Sequence, residues 1–402
     1  MEDIIGIPVL TAFFIAAAIM GVVISRTNFC TMGAVSDWVN LGDFGRLGAW
    51  MLAIVVSMLA VSFMELMAMV DLSDARPPYR SSTFAWLRYI LGGVMFGVGM
   101  TLAGGCASKN LVRMGGGSIK SLVTLGFTAI FAYLMTKTVF YEIAFYNWMQ
   151  PMALELNDIN VSSQDFGSFL AALFSSVDAS VIRVAIAVAA CLAVIWFVVR
   201  TRGIRKNMAN VIAGIVIGIC VAFAWYMSAG PAGMQWVEAA QWADVPPVGV
   251  GPQSFTFINP LGEYVSLAIE TGTLGVLLTV GMLAAAGLVV GSLIDAVITR
   301  QFKFAWFVSF KDFAANAVGG TLMGIGGVLA LGCTIGQGVT GLSTLAVGSL
   351  FALIAIVLGS AATLKVQYYR LVYEEASFLD ALLSALADLR LLPSRLRKLE
   401  AI

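Results

Sequence analysis

The side chains best able to do chemistry in this sequence are its cysteines: Cys30, Cys106, Cys191, Cys220 and Cys333. Three of them stand in polar, glycine-bearing strings. Cys30 lies in Arg26-Thr27-Asn28-Phe29-Cys30-Thr31-Met32-Gly33, with Ser36-Asp37-Trp38 following. Cys106 lies in Gly104-Gly105-Cys106-Ala107-Ser108-Lys109-Asn110, and Cys333 in Gly332-Cys333-Thr334-Ile335-Gly336-Gln337-Gly338. The other two, Cys191 and Cys220, are embedded in apolar runs and read as small hydrophobes filling space. No CxxC pair occurs, and an odd number of cysteines argues against a complete disulfide framework. The chain has no histidine, which excludes His-ligated zinc or haem and histidine proton relays. No metal or other cofactor is expected. A row of thiols offers weak S–H donors to a soft, polarizable sulfur anion. Such donors would pass the anion on without gripping it as an arginine would.

The elements that must position these thiols are membrane helices. The 402 residues are 60% hydrophobic and 11% charged, whereas soluble domains carry about 25% charged residues. Apolar stretches of the roughly 20 residues needed to cross a bilayer recur along almost the whole chain. They are continuous rather than alternating, which excludes a β-barrel. Nine spans are read, over 7–25, 47–70, 85–105, 119–137, 180–200, 208–228, 266–298, 312–332 and 343–364. The acidic start, Met1-Glu2-Asp3, lacks the basic region of a cleavable signal peptide, so the first span is expected to be retained. Net charge is zero, and no basic face for nucleic acid is present.

The basic loop 200–206 (RTRGIRK) places that end of the flanking spans in the cytoplasm by the positive-inside rule, which puts the N-terminus outside and the C-terminus inside. Arg76, Arg80, Arg88, Lys137 and Arg183 are the exceptions. Laying 92–106 on 319–333 matches eight of fifteen positions at an offset of 227, including the final Gly-Cys. The same offset carries the preceding and following spans onto later ones. With one span connecting two sets of four, the two halves must be inverted, and a site is expected where they meet at the membrane midplane.

The fold expected is therefore an all-α polytopic membrane protein of about nine transmembrane helices plus short broken or re-entrant helices, built from two inverted repeats. Residues 1–137 form the first repeat. Residues 138–207 supply an external segment, the connecting span and the basic loop; 208–364 form the second repeat, and 365–402 a cytoplasmic amphipathic tail. In that tail Phe378, Leu379, Leu382, Leu383 and Leu386 at helical spacing, with basic residues beyond, suggest a helix on the lipid surface, with a partner-binding helix as the rival. Irregular backbone at membrane depth is tolerated only where it is buried in protein or lines a cavity. Gly105 and Gly332 are thus expected to break the helices beside Cys106 and Cys333, with freed N–H groups facing an anion. Lys109, Arg113 and Lys120 could supply positive potential, or be ordinary flanking charges. Asn110 and Gln337, equivalent at the same offset, could donate to oxyanion oxygens or cap the breaks. Glu65, Glu270 and Asp295, in or at the ends of apolar spans, are functional suspects by position, although Asp295 could be no more than an interfacial partner of Arg300.

The strings Arg26–Asp37, Gly104–Asn110 and Ala330–Gly341 resemble the signatures of the YeeE/YedE family of bacterial sulfur-compound transporters, over essentially the whole membrane part. The resemblance implies a nine-span hourglass in the bacterial inner membrane and uptake of thiosulfate or a related small sulfur anion. The cysteines lining its route would be Cys30, Cys106 and Cys333. A soluble cytoplasmic sulfur-carrier protein as partner is implied by the family alone. The rival from another class is a membrane thiol enzyme that carries a persulfide on Cys106 or Cys333, its thiol activated by Lys109.

Overall fold

The computed structural model describes residues 2–173, 178–201, 204, 207–242, 249–269, 279–373 and 375–400. Glu270 and most of the loop 202–206 lie outside them. The described residues are predominantly helical, because apolar backbone in lipid must satisfy its hydrogen bonds internally. Its principal helices are α1 (Glu2–Thr27), α2 (Thr31–Ser36), α3 (Gly45–Leu66), α4 (Trp86–Leu102), α5 (Ala107–Gly115), α6 (Ile119–Lys137), α7 (Phe166–Leu173), α8 (Ala179–Arg200) and α9 (Met208–Ala229). There follow α10 (Pro231–Gln241), α11 (Asn259–Ile269), α12 (Val280–Ile298), α13 (Phe310–Leu329), α14 (Val347–Val372) and α15 (Phe378–Asp388). The chain is an all-α polytopic membrane protein. Eight stretches of helix among the described residues are long and apolar enough to cross a bilayer. The ninth expected span, α13, is a 20-residue helix diluted by Lys311, Asp312, Asn316 and five glycines. The span read over 266–298 is not one described helix: α11 ends at Ile269, and α12 starts afresh where the Thr279 hydroxyl accepts from the N–H of Met282 at 3.2 Å.

Helices pack in crossed pairs: α1 with α12, α3 with α9, α4 with α14, and α6 with α13, while α4 and α13 meet each other. Glycines bring that last pair into backbone contact. A Cβ on Gly99 would stand 2.7 Å from the Gly319 carbonyl oxygen, and one on Gly319 would stand 2.7 Å from the Gly99 oxygen. Gly92 and Gly326 repeat the arrangement at 2.8 and 2.6 Å. Residue 92 opposes 326 while 99 opposes 319, so the two helices run antiparallel. Small residues that let helices approach this closely are the usual glue of membrane bundles.

Several charged groups within the bundle are paired. Arg80 bonds both oxygens of Glu65 and the Thr344 carbonyl, and Arg183 bonds Asp165 at 2.8 Å and Glu65 at 3.5 Å. Two of the exceptions to the positive-inside count are thus members of one buried network. Glu65, flagged by position, is an ion-pair partner in it. Asp295 pairs with Arg26 at 2.6 Å rather than with Arg300. In the tail, α15 folds back on the end of α14 through Ala381, Ala385, Val366 and Tyr369, and Asp388 accepts from Tyr369 at 2.8 Å. Phe378 and Leu379 face outward.

Candidate functional site

Each of the three cysteines follows the same backbone device. A helix ends, a residue two positions before the cysteine turns left-handed, and the cysteine immediately precedes the next short helix. The left-handed residues are Asn28 (φ 53°), Gly104 (φ 66°) and Leu331 (φ 61°). Cys30 and Cys106 then adopt extended backbone as N-caps of α2 and α5. Cys333 opens the helical segment from Thr334 that continues as a π-helix over Gly336–Gly341. A cysteine here plays the part usually taken by serine or aspartate. The N–H three residues on meets its sulfur: Gly336 donates to Cys333 Sγ at 3.3 Å. The N–H groups of Gly33 and Lys109 lie against Cys30 and Cys106 without closing a full cap bond.

The breaks converge. The thiols of Cys30 and Cys106 are hydrogen-bond neighbours, and Cys106 Sγ is 3.2 Å from Ser108 Oγ. Cys333 lies within electrostatic reach of Cys106. All three are buried, as are the surrounding polar groups. The Thr334 hydroxyl lies beside Cys106, yet it has no well-formed hydrogen bond, and neither do the hydroxyls of Thr31 and Thr256 or the indole N–H of Trp50. Buried donors are almost always satisfied in folded proteins; these four, among the unpartnered buried groups of the described residues, are available to a polar guest at the breaks. By contrast Cys220 lies within α9, and Cys191 is half-buried on α8.

Two cavities flank this waist. One, of about 530 Å³, is lined by Asn28, Cys30, Gly33, Arg46, Lys109, Arg113 and Asn210 among others. The second, of about 640 Å³, is lined by Asp71, Asp74, Arg76, Pro78, Ser81, Gly251 and Pro252 among others. Arg46 begins α3 and Asn210 begins α9, while the second cavity takes residues beyond the C-terminal ends of both helices. These helices have 22 residues each, roughly 33 Å at 1.5 Å per residue, so the cavities open at opposite ends of the bundle.

The candidate residues named from sequence divide between these places. Lys109 lines the first cavity and donates to Asn28 Oδ1 at 3.0 Å. Arg113 lines it too, donating to the Gly104 carbonyl at 2.7 Å. Lys120 is drawn away to Asp312 at 2.5 Å. The Asn110 amide donates to the Gly105 and Cys106 carbonyls at 2.8 and 3.2 Å, and Gln337 donates to Ala330 at 2.5 Å. Both amides cap the breaks. Gly105 and Gly332 form the turns, where a Cβ on Gly105 would meet the Lys109 side chain at 3.2 Å.

The model of the sulphur transport family matches residues 26–362, which takes in all three breaks. The chain belongs to that family. Among its relatives, the thiosulfate transporter TsuA of Escherichia coli is 26% identical over 344 residues, covering 81% of this chain and 85% of the relative. The thiosulfate transporter TsuA of Spirochaeta thermophila is also 26% identical, covering 85% and 94%. The resemblance read from the cysteine strings is therefore borne out, and the chain is a membrane transporter of a sulfur compound rather than an enzyme.

Several residues packed around these breaks were not singled out in the sequence. Arg46, bonded to Asp37 at 2.5 Å, lies against Gly33, where a Cβ would collide with its guanidinium. The glycine of the first cysteine string was the one available signal for that contact. Thr334 stands next to a named cysteine and was passed over as part of the break. Tyr79 and Thr256 come from loops whose sequence carries no hint of their position.

Proposed function

We propose that this protein conducts thiosulfate, or a closely related small sulfur anion, inward across the bacterial inner membrane through a thiol-lined waist. The anion enters the cavity at Arg76 from outside, passes Cys333, Cys106 and Cys30 in turn, and leaves through the cavity at Arg46, Lys109 and Arg113. The observation that carries this reading is the convergence of three cysteines, each two residues after a left-handed turn at a helix break, with unpartnered buried donors, between cavities at opposite ends of the bundle. The thiosulfate-transporting relatives support the choice of anion. The positive-inside distribution supports the orientation, with the N-terminus outside and the C-terminal tail in the cytoplasm.

The antiparallel glycine pairs support two inverted repeats. The offset of 227 exchanges Gly92 with Gly319 and Gly99 with Gly326, turning one observed contact into the other. The left-handed residues Gly104 and Leu331 are exchanged by the same offset. Lipid surrounds the bundle, and a soluble cytoplasmic sulfur carrier would take the anion at the Arg46 mouth.

The test is entry of labelled thiosulfate, sulfite, sulfate and selenite into vesicles containing the purified protein alone. Thiosulfate should enter fastest, because its terminal sulfur is the soft atom that thiols accommodate. Equal entry of sulfate, or no entry of any sulfur anion, would overturn the assignment.

A further inference from the structure

One buried side chain links a loop of the Arg76 cavity to the break that carries Cys333. Two loops descend from that cavity towards the waist. The first contributes Ala75, Arg76 and Pro78 to the cavity lining and next presents Tyr79; the second contributes Val250, Gly251 and Pro252 and reaches Cys333 with the backbone of Phe257. They are joined where the Arg76 N–H donates to the Pro252 carbonyl at 2.7 Å. Tyr79 is 2% exposed, although Pro78 before it and Ser81 after it line the cavity. Its hydroxyl donates to the Gly336 carbonyl at 2.8 Å, on the same residue whose N–H holds the Cys333 sulfur. Its ring stands edge-on to Trp225, with centroids 6.4 Å apart, and lies over Gly341, where a Cβ would come within 3.0 Å.

We propose that Tyr79 is the gate between the outer cavity and Cys333, and that its hydroxyl gives up the Gly336 carbonyl to follow an entering anion. Closed, the ring spans the π-helical segment from Gly336 to Gly341 and separates Cys333 from the cavity. To open, the side chain must leave one hydrogen bond and one aromatic contact, both of which a loop residue can exchange for a bond to an anionic oxygen. The phenol is held well above the ordinary tyrosine range by burial and by the neighbouring Cys333, so it stays a proton donor at physiological pH. Tyr79 therefore acts as a positioning residue: it decides when Cys333 is reachable, and by which ligand.

This inference rests on the route proposed above, so its test must not depend on which anion is carried. Vesicles of both orientations are treated with 2-sulfonatoethyl methanethiosulfonate, a small anionic thiol reagent, and labelling of each cysteine is followed by peptide mass spectrometry. From the Arg76 side, Tyr79→Phe should label Cys333 about fivefold faster than wild type, the net strength of one hydrogen bond. Tyr79→Ala should label it faster still. From the opposite side, Cys30 labelling should be unchanged in both variants. Tyr79→Phe preserves the ring and its packing, so it reports even if the alanine variant folds poorly. Unchanged Cys333 labelling in Tyr79→Phe overturns the gate, as does labelling of wild-type Cys333 already as fast as in Tyr79→Ala. Accelerated labelling without thiosulfate entry would leave the gate standing and remove the substrate assignment.

Discussion

Replacing Cys106 by alanine removes a single sulfur from the point where the three breaks meet. The wild-type thiol faces Cys30, touches Ser108 Oγ at 3.2 Å and lies beside the Thr334 hydroxyl. Alanine keeps the backbone cap and the helix that follows it, so the site loses a donor rather than its shape. A hydrogen bond to a charged partner contributes about 1.5–3 kcal/mol. If the bond forms only as the anion crosses the waist, that loss slows passage by roughly 10- to 150-fold at about 1.4 kcal/mol per factor of ten. The assay is the initial rate of labelled thiosulfate entry into proteoliposomes at subsaturating concentration. Cys106→Ser, which restores a donor at nearly the same place, should recover part of the loss. Cys191→Ala, on the flank of α8 away from the breaks, should stay within about twofold of wild type, as expected for a surface-like position. A Cys106→Ala protein transporting as fast as the Cys191→Ala control would refute the thiol-lined path.

The glycine crossing and the buried ion network make two further predictions. Gly99→Ala and Gly319→Ala each push a Cβ to 2.7 Å from a carbonyl oxygen of the facing helix, so each should cost about 1–3 kcal/mol of overpacking; thermal unfolding in detergent should show nearly equal losses, and none for Gly126→Ala, where nothing lies within 4 Å. Asp165→Asn removes the closest charge partner of the buried Arg183, leaving Glu65 at 3.5 Å and the Ser168 hydroxyl at 3.4 Å, and should cost about 3 kcal/mol. Burial raises the Asp165 carboxyl, but the bond from Arg183 and the charges of Arg80 and Arg183 outweigh it and hold the group at about 2. Because the folded value lies below the free one, this contribution is complete above roughly pH 4. It fades only as pH falls towards 2, and urea unfolding of wild type against Asp165→Asn should show the gap closing in that window.

Much of the architecture is legible because hydrophobic length is a local signal. Eight apolar runs became helices near their expected limits, and glycines beside Cys106 marked real breaks. What was not legible depends on partners remote in the chain. Asp295 has Arg300 five residues away, yet it pairs with Arg26 from the first helix. Lys120 belongs by sequence to the group after the first break, but Asp312 on α13 draws it off. Leu331 takes a left-handed backbone that only its equivalence to Gly104 hints at. The long run 266–298 reads as one span because apolarity does not record where Thr279 starts a new helix. Arg46 escapes notice because its neighbour Gly33 is met only after the chain has reversed through the π-turn Asp37–Leu41.

The distribution of charge along the proposed path follows from what a dianion needs at each depth. Outside the waist, water screens the ion, and fixed cations at a mouth raise its local concentration. Within it, two opposite unit charges 4 Å apart at an effective dielectric of 20 attract by about 4 kcal/mol. An arginine there would hold a dianion by about 8 kcal/mol, enough to slow its release by some six orders of magnitude. The cations are accordingly kept at the mouths, Arg76 at one and Arg46, Lys109 and Arg113 at the other, and the last three are each moderated by a partner: Arg46 by Asp37, Lys109 by Asn28 and Arg113 by the Gly104 carbonyl. At the waist the described donors are thiols, hydroxyls and N–H groups, each contributing about 1.5–3 kcal/mol to a charged partner. Several such bonds together offset desolvation, and each can be broken singly as the next one forms. Three thiols in succession, none strong enough to trap the ion, serve conduction better than one strong site would.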